Sequence, residues 1–274
     1  MSTTAGVALM NGVVIGLVKD IDDPAGEGRI RVQFPWLSAE EMSGWAPIAR
    51  TMAGKSRGFW YMPEIDDEVL VAFEFGDFDH PFVLGFLHNG VDVPPSDGID
   101  ASVRRQRTVS GHMFEFDDRS GKERITLVTQ GKQKLEMKDS GGDLVLTTAN
   151  GQQLAMSDTT SDIKLSTTSG TSVTISDQPS SIKLSTVAGV TVTITDTGGV
   201  SVSAPTGALD ITCLTATLNA TSSCEVNSAS VTCTGASVAV NSAIATFSGV
   251  VQCTTLIATS VVSSSYTPGA GNIW

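Results

Sequence analysis

A gap-free internal repeat constrains this chain more than any other feature of its sequence. Four segments align at intervals of 19 residues, and they begin at Ile125, Leu144, Ile163 and Ile182. One aspartate recurs at the same spacing, at Asp139, Asp158, Asp177 and Asp196. Because a unit this small cannot bury its own apolar face, it has to stack on its neighbours. The repeat therefore predicts a fold built from stacked units.

Each repeat contains two short runs in which apolar and polar residues alternate, as in 163–167 and 173–177. This period of two, in runs rich in Val, Ile and Thr, predicts β-strands with one apolar and one polar face. The recurring aspartate opens the turn that follows, where its carboxylate can hold the backbone two residues on. The nonapeptide motif of calcium-binding repeats does not occur in the sequence. We therefore interpret the four aspartates as turn-forming residues rather than metal ligands.

After Val200 the apolar positions recur roughly every seven residues, with mostly Ser, Thr, Ala and Asn between them. A unit of this size holds one strand and one tight turn. It buries too little apolar surface to offset the entropy lost when its residues are ordered. Several chains wound around one axis would supply the missing contacts. This region therefore predicts an intertwined, oligomeric β-helix.

Residues 1–92 predict a separate small barrel, because five strand-like runs follow one another at 13–21, 29–34, 45–50, 68–75 and 82–87. Glycines inside the first and last runs, Gly16 and Gly85, also suit a tightly closed OB-fold. OB barrels often bind nucleic acid, which requires clustered positive charge. This segment holds six Lys and Arg against fourteen Asp and Glu, and the whole chain carries a formal charge of −12. We predict no nucleic-acid partner.

Residues suited to catalysis or metal binding do not converge in the sequence. The four cysteines lack metal-ligand spacing, and we interpret them as small core residues of a protein folded in a reducing cytoplasm: Cys213, Cys224, Cys233 and Cys253. Glu136 and Asp139 come nearest to the carboxylate pair of a glycosidase. The sibling repeats, however, carry Ala155, Thr174 and Thr193 at the position of Glu136. We predict no enzyme, no cofactor and no metal site. We also expect no signal peptide and no membrane-spanning helix.

Residues 23–89 resemble the baseplate-assembly-protein-V family of contractile phage tails. The same module occurs in the valine-glycine-repeat (VgrG) spike of type VI secretion and in related extracellular injection systems. The matching residues are Asp23, Pro24, Gly28, Arg29, Phe34, Pro35, Trp36, Trp45, Gly54, Gly58, Pro63, Glu68, Val69, Gly76, Asp77, Pro81, Gly85 and Asn89. A second stretch, SGHMFEFDDRSGKERITL at 110–127, resembles the beginning of the β-helix of the same spikes.

The resemblance implies a homotrimer in an all-β fold, with a five-stranded OB barrel followed by an intertwined triple-stranded β-helix needle. The implied division is a collar domain at 1–92, a linker at 93–109, a first β-helix section at 110–199, a narrow section at 200–262 and a tip at 263–274. In this family the collar sits under a tail hub, and sheath contraction drives the needle through a target cell envelope. Because few residues precede the barrel, we expect the hub to be a separate protein. Assembly would take place in the bacterial cytoplasm, and the product would belong to a virion baseplate or an injection particle.

The end of the chain allows two interpretations. No histidine follows His112, so the iron-binding apex of some phage spikes is not expected. Exposed apolar groups at a needle end would suit docking of a separate tip protein of the proline-alanine-alanine-arginine (PAAR) repeat kind. The candidate docking residues are Tyr266, Pro268, Asn272, Ile273 and Trp274. Alternatively, Trp274 folds back and closes the core of the helix. For the chain as a whole, the alternative to a spike is a trimeric β-helical tail fibre or tailspike that binds a receptor or glycan.

Overall fold

The computed structural model describes residues 10–37, 41–95 and 101–264. The chain divides into two units, Met1–Asp210 and Ile211–Trp274. Within the described ranges of the first unit, the regular structure is β-sheet, apart from a single 3-10 turn at Glu74–Gly76. This unit contains a small barrel followed by a long repeat sheet.

The barrel is built on a four-stranded antiparallel sheet in the order β2-β1-β5-β6. Its strands, together with the short hairpin β3-β4, are β1 (Val13–Asp20), β2 (Arg31–Gln33), β3 (Ala53–Gly54), β4 (Arg57–Gly58), β5 (Glu68–Phe73) and β6 (Pro81–Leu87). The run predicted at 45–50 is not a strand. It forms isolated bridges instead, from Ala46 to Ile30 and from Ile48 to Val83. Because Ile30 adjoins β2 and Val83 lies in β6, these bridges join the two edges of the sheet and close it.

The core of the barrel is complete within one chain. Its buried side chains are Val18, Ile30, Val32, Phe34, Ala46, Ile48, Val69, Val71, Phe73 and Val83. The ring of Phe34 lies 5.7 Å from that of Phe73 and 5.4 Å from that of Phe78. Gly16 permits the close approach of β1 and β2, since a Cβ there would lie 2.1 Å from Cγ1 of Val32. Close packing between the two strands thus explains why a glycine occupies this position inside β1.

The repeat sheet has eleven antiparallel strands, each hydrogen-bonded to the next in chain order. They are β7 (Val103–Arg107), β8 (Met113–Asp117), β9 (Arg124–Val128), β10 (Lys134–Lys138), β11 (Asp143–Thr147), β12 (Gln153–Ser157), β13 (Asp162–Ser166), β14 (Ser172–Asp177), β15 (Ser180–Ser185), β16 (Thr191–Thr195) and β17 (Val200–Ser203). Each 19-residue repeat supplies two strands, as its alternating pattern predicts. Strand β7 lies in the segment predicted as a linker, so the sheet begins earlier than the sequence indicated.

The second unit differs from the first in its backbone. Its described part, residues 211–264, contains no strand. The periodic apolar side chains are there but exposed, as at Leu218, which is 78% exposed, and Val226, which is 70% exposed. The four cysteines are also exposed in the single chain, so their place in a narrow core stays a prediction. In the single chain, the short units of residues 211–264 have no neighbouring strand with which to form backbone hydrogen bonds.

Candidate functional site

The repeat sheet carries an uncovered apolar face. The strand register places like residues opposite each other, as in the pairs Leu146↔Leu154 and Leu144↔Met156. One column of this face contains Leu127, Leu135, Leu146, Leu154, Leu165, Val173, Leu184, Val192 and Val202. The other contains Ile125, Met137, Leu144, Met156, Ile163, Ile175, Ile182, Ile194 and Val200. Since the two columns are two residues apart in every strand, they share one side of the sheet.

Much of this apolar face is open to solvent in the single chain. Leu165 is 55% exposed, Leu146 is 51% exposed and Ile175 is 46% exposed. A groove of about 690 Å³ lies along the face, and its lining includes Phe114, Leu127, Leu135, Leu146, Leu154 and Leu165. A contiguous apolar surface of this extent marks an interaction site rather than ordinary protein surface.

A ladder of threonines forms the turns along one edge of the sheet. The threonines are spaced by 19 residues, at Thr129, Thr148, Thr167 and Thr186. The backbone N–H of Thr148 donates to the carbonyl of Gln152 (2.9 Å), and the N–H of Gln152 donates back to the Thr148 hydroxyl (3.1 Å). The same exchange joins Thr129 to Gln133 and Thr186 to Val190. The sequence interpretation missed this ladder, although its spacing was visible beside that of the aspartates.

The recurring aspartates lie at the opposite edge of the sheet. Three of them occupy turns, and Asp177 is the last residue of β14. The backbone N–H groups of Asp139 and Asp177 donate to the carbonyls of Glu123 (3.1 Å) and Ser161 (2.9 Å), and Asp158 and Asp196 repeat the pattern. The structure shows none of the four carboxylates bonded to the backbone two residues on, so the bond expected from the sequence is not formed, and three of the four residues lie in turns. Among the described residues, no three His, Cys, Asp or Glu side chains cluster as metal ligands would.

The polar face of the first strands holds a cluster of ion pairs. Glu115 pairs with Arg105 at 2.6 Å and Asp117 with Arg119 at 2.6 Å. Arg124 approaches all three acids of the cluster, at 3.9 Å from Glu115, 3.1 Å from Asp117 and 3.9 Å from Glu136. Two lysines complete it around Glu136. We define the ion-pair cluster as Arg105, Glu115, Asp117, Arg119, Arg124, Lys134, Glu136 and Lys138.

The carboxylates of this cluster are buried, at 5% exposure for Glu115 and 1% for Asp117. The hydrogen bond from Arg119 holds the pKa of Asp117 well below its ordinary value. Burial alone would raise the pKa of Glu136, but the hydrogen bond and charge of Lys134, with the charge of Lys138, lower it overall. Asp117 and Glu136 therefore lie beside cations that favour their charged forms. Spacing in the sequence did not reveal this cluster, because its members come from four strands and from the connection between β8 and β9.

Three of the family-matching residues fix the turn between β1 and β2: Asp23, Gly28 and Arg29. The carboxylate of Asp23 accepts hydrogen bonds from the guanidinium of Arg29 (2.8 Å) and from the backbone N–H groups of Ala25 (3.1 Å) and Glu27 (3.0 Å). The hydrogen bond from Arg29 lowers the pKa of Asp23 far below its ordinary value. Gly28 lies against Trp60, and a Cβ at this glycine would approach the indole ring to 2.4 Å. The ion pair explains why the turn contains an aspartate and an arginine, and the contact with Trp60 explains why it contains a glycine.

The other matched residues also belong to the barrel. In its strands lie Gly54, Gly58, Glu68, Val69, Pro81 and Gly85. In its connections lie Pro24, Phe34, Pro35, Trp36, Trp45, Pro63, Gly76, Asp77 and Asn89. Tip candidates 266–274 lie outside the described residues, so their docking role stays a prediction. The described residues contain no helix with the length and apolar character that spanning a bilayer requires.

Comparison with known proteins agrees with the barrel geometry. Residues 14–88 match the family described as the type VI secretion system/phage-baseplate injector OB domain. The actin cross-linking toxin VgrG1 of Vibrio cholerae is 31% identical over 131 residues, which cover 42% of this chain and 12% of that protein. The type VI secretion system spike protein VgrG3 of the same species is 30% identical over 131 residues, or 42% and 13% of the two chains. Spike protein VgrG1b of Pseudomonas aeruginosa is 28% identical over 125 residues, or 41% and 17%.

Residues 14–88 therefore match the injector OB domain, and 42% of the chain is similar to VgrG spike proteins. The family resemblance stated from the sequence is confirmed. The all-β class is confirmed as well, with an N-terminal OB domain followed by a long antiparallel sheet that fits a β-helix-like needle. The matched region spans only 12% to 17% of the length of these three relatives.

Proposed function

We propose that this chain is the central spike of a contractile injection machine, in which three copies form a collar of barrels and a needle of repeat sheets. The observation that carries the proposal is the uncovered apolar face of the repeat sheet. The injector OB domain and the similarity to VgrG spike proteins support the same class of role.

Association of copies follows from the energetics of the apolar face. Burying a Leu or Ile side chain that is half exposed in the single chain contributes a free energy on the order of 1 kcal/mol. Two columns of nine such positions run along the sheet. Their summed burial is comparable with or larger than the entropy cost of association, which is on the order of 10 kcal/mol. A second and a third copy of the same sheet supply matching apolar columns at matching spacing.

The described residues 211–264 require association between copies even more than the repeat sheet does. Apolar side chains such as Ile211, which is 75% exposed, and Phe247, which is 70% exposed, have no core to enter in one chain. Their backbone groups also have no strand partners there. Unpaired backbone groups and exposed apolar groups are both satisfied when neighbouring chains supply strands and a shared core. This part of the needle therefore forms only in the assembly.

The barrel offers a surface for a separate hub protein. The outer face of its sheet is apolar at Val13, Ile15, Phe82 and Leu84, of which Ile15 is 48% exposed and Leu84 is 45% exposed. Since the inner face already forms the core, this second apolar face is available to a partner. A tail hub covering it would hold the collar in place, while a PAAR-type protein would cap the opposite end of the chain.

The proposed work is mechanical and involves no enzymatic step. Sheath contraction would push the needle through a target cell envelope after assembly in the bacterial cytoplasm. The polar face of the sheet carries Ser, Thr and Lys, as at Lys164, Thr174 and Lys183. These side chains stay solvated while the apolar columns remain in the interior. The needle thus presents no adhesive surface during passage.

The absolute mass of the full-length chain in solution tests this function directly. Multi-angle light scattering should give three times the chain mass of 28.5 kDa, and an unboiled gel lane should retain the same species. The control is the double variant Leu146→Asp with Leu165→Asp, which places charges on the apolar face and should run as a monomer. A wild-type monomer with a folded sheet would overturn the spike and favour a single-chain glycan-binding solenoid.

A further inference from the structure

We propose that a hairpin arm on each barrel contacts the barrel of the next copy, and that this contact joins the three barrels into a collar. The hairpin arm is residues 50–61, which comprise β3, β4 and the residues beside them. The contact presupposes the proposed function, because barrels of different chains can meet only in the trimer. The arm is separate from the outer apolar face assigned to the hub, since that face lies on β1 and β6.

The hairpin arm lies outside the core of the barrel. Its two strands have two residues each and pair only with each other. Every residue from 51 to 61 is exposed, and Trp60 is 65% exposed. A two-stranded hairpin is at best marginally stable in water, so an arm of this kind gains stability from a partner. Exposed aromatic side chains in such a position are typical of protein interfaces.

Trp60 is held in place before any partner binds. The guanidinium of Arg50 lies 4.8 Å from the centre of the indole ring, and its Nη2 donates to the carbonyl of Gly28 (3.3 Å). Gly28 itself lies directly against the same ring. An aromatic side chain that is already fixed loses little conformational entropy on association. Trp60 therefore has the properties of an anchor residue at an interface.

The hairpin arm continues the apolar face of the repeat sheet onto the barrel. Gln106 pairs with Phe114, and Phe114 pairs with Leu127, so Gln106 is the first position of the leucine column. The hydroxyl of Tyr61 donates to Oε1 of Gln106 (3.4 Å). The rings of Phe59 and Tyr61 stack with their centres 6.0 Å apart. A copy that covers the beginning of the apolar face therefore comes within reach of the arm.

The charge of the arm is complementary to that of the rest of the barrel. Residues 1–92 hold six Lys and Arg against fourteen Asp and Glu, and three of the six cations lie in the arm, at Arg50, Lys55 and Arg57. Lys19 and Arg29 pair with acids of their own barrel. Within the described ranges of the chain, none of the three arm cations forms an ion pair. A cationic arm on an acidic barrel finds its complement on a second barrel.

Threefold symmetry suits this distribution of charge. In a ring of three identical copies, one surface of each copy meets a different surface of the next. The hairpin arm supplies a cationic and aromatic side, and the acidic barrel supplies the other. Two arms that faced each other would bring like charges together. The arm is therefore suited to contact a neighbouring barrel rather than a second arm.

The test is photo-crosslinking of the full-length chain, with p-benzoyl-phenylalanine in place of one phenylalanine. The test position is Phe59 in the arm, and the matched control is Phe82 on the outer face, which are 46% and 38% exposed. We expect position 59 to give a covalent product of twice the chain mass of 28.5 kDa, which position 82 does not give. Mass spectrometry of the peptides should place the crosslink on barrel residues of the second chain.

Charge reversal in the arm tests the electrostatic part of the contact. Lys55→Glu with Arg57→Glu should lower the yield of the position-59 product about fivefold, because each reversal replaces an attraction by a repulsion. The control variant is Lys164→Glu with Lys183→Glu, which makes the same change on the polar face of the repeat sheet. It should leave the yield within about twofold of that of the chain without charge reversal.

Equal yields at positions 59 and 82, in a preparation of trimeric mass, would overturn the arm contact and leave the spike standing. A product that maps only to the repeat sheet would overturn it as well. So would a yield that falls as far in the Lys164 and Lys183 control as in the arm variant. A chain of monomeric mass would remove the trimer itself, so light scattering separates failure of the arm contact from failure of the proposed function.

Discussion

The barrel and the repeat sheet are built from the same kind of alternating strand, yet only the barrel finishes its core within one chain. In the barrel, residues 46–49 bridge both edges of the sheet, and side chains such as Phe34 are fully buried. In the repeat sheet, the eleven strands follow one another without closing, and one apolar face stays open. An alternating pattern therefore specifies a two-faced strand, but it does not specify what covers the apolar face.

Local irregularity explains the difference between the two regions. The pairing of β5 with β6 and of β1 with β2 contains register shifts, and Gly16 lets β2 cross closely over β1. Bulges and strand glycines bend a sheet and allow it to close. The repeat strands, almost all five or six residues long, pair without such shifts. A regular sheet without bends cannot curl onto itself, so its core has to come from other copies.

The largest effect should come from charging the apolar face. Leu146→Asp with Leu165→Asp would bury two unpaired carboxylates at the interface between copies, at a cost of several kcal/mol in each chain. We expect loss of the trimer with an intact barrel, measured by light scattering and by barrel tryptophan fluorescence. The matched control is Thr174→Asp on the polar face, which should remain trimeric. A charged apolar face that still assembles would mean that this face is not the interface.

The next effect should be confined to the barrel. Phe34→Ala removes a fully buried ring in contact with Phe73 and Phe78, and we expect a loss of about 3–5 kcal/mol in barrel stability. Phe82→Ala, on the exposed outer face, is the control and should cost less than about 1.5 kcal/mol in the absence of a hub. Denaturant unfolding monitored by tryptophan fluorescence measures both. Equal losses would show that the outer face contributes to the barrel core.

A smaller effect should follow acidification. The pKa values of Asp117 and Glu136 are lowered in the folded chain, so their ionisation stabilises the sheet above the ordinary carboxyl pKa of about 4. This contribution is lost as the pH falls through the lower folded pKa values. We expect β8–β10 to exchange amide hydrogens faster below about pH 4 than at pH 7, after correction for intrinsic rates. The variant Asp117→Asn with Glu136→Gln should show a flatter pH dependence, and an unchanged slope would contradict the assignment.

The smallest effect should come from a single rung of the threonine ladder. Thr148→Val removes the hydroxyl that accepts the N–H of Gln152, and we expect a local loss of about 1 kcal/mol. Exchange of the Gln152 amide should accelerate about fivefold while the trimer persists. Thr174→Val, in the middle of a strand, is the control and should leave that amide unchanged. An unaffected Gln152 amide would show that the turn is held by its backbone bonds alone.

Repetition made the sheet easier to predict than the barrel. The 19-residue spacing correctly gave two strands per repeat with most of their apolar residues on one side, because alternate residues of a strand point to opposite faces of the sheet. In the barrel, four of five strand-like runs became strands, but 45–50 became a bridging segment whose role depends on two distant partners. Three of the four repeated aspartates lie in turns and Asp177 ends β14, and the bonds at that edge are made by their backbone N–H groups rather than by their carboxylates.

The sequence by itself determined the alternation of the strands, the repeat, the two faces of the sheet and the family of the barrel. Each of these depends on residues close together in the chain or on a motif read in order. Only the tertiary structure decided how the barrel closes and that β7 belongs to the sheet. It also brought Arg105, Asp117 and Glu136 into one cluster, because strand pairing joins residues that lie up to about thirty positions apart. Contacts of this kind depend on register, which no local pattern encodes.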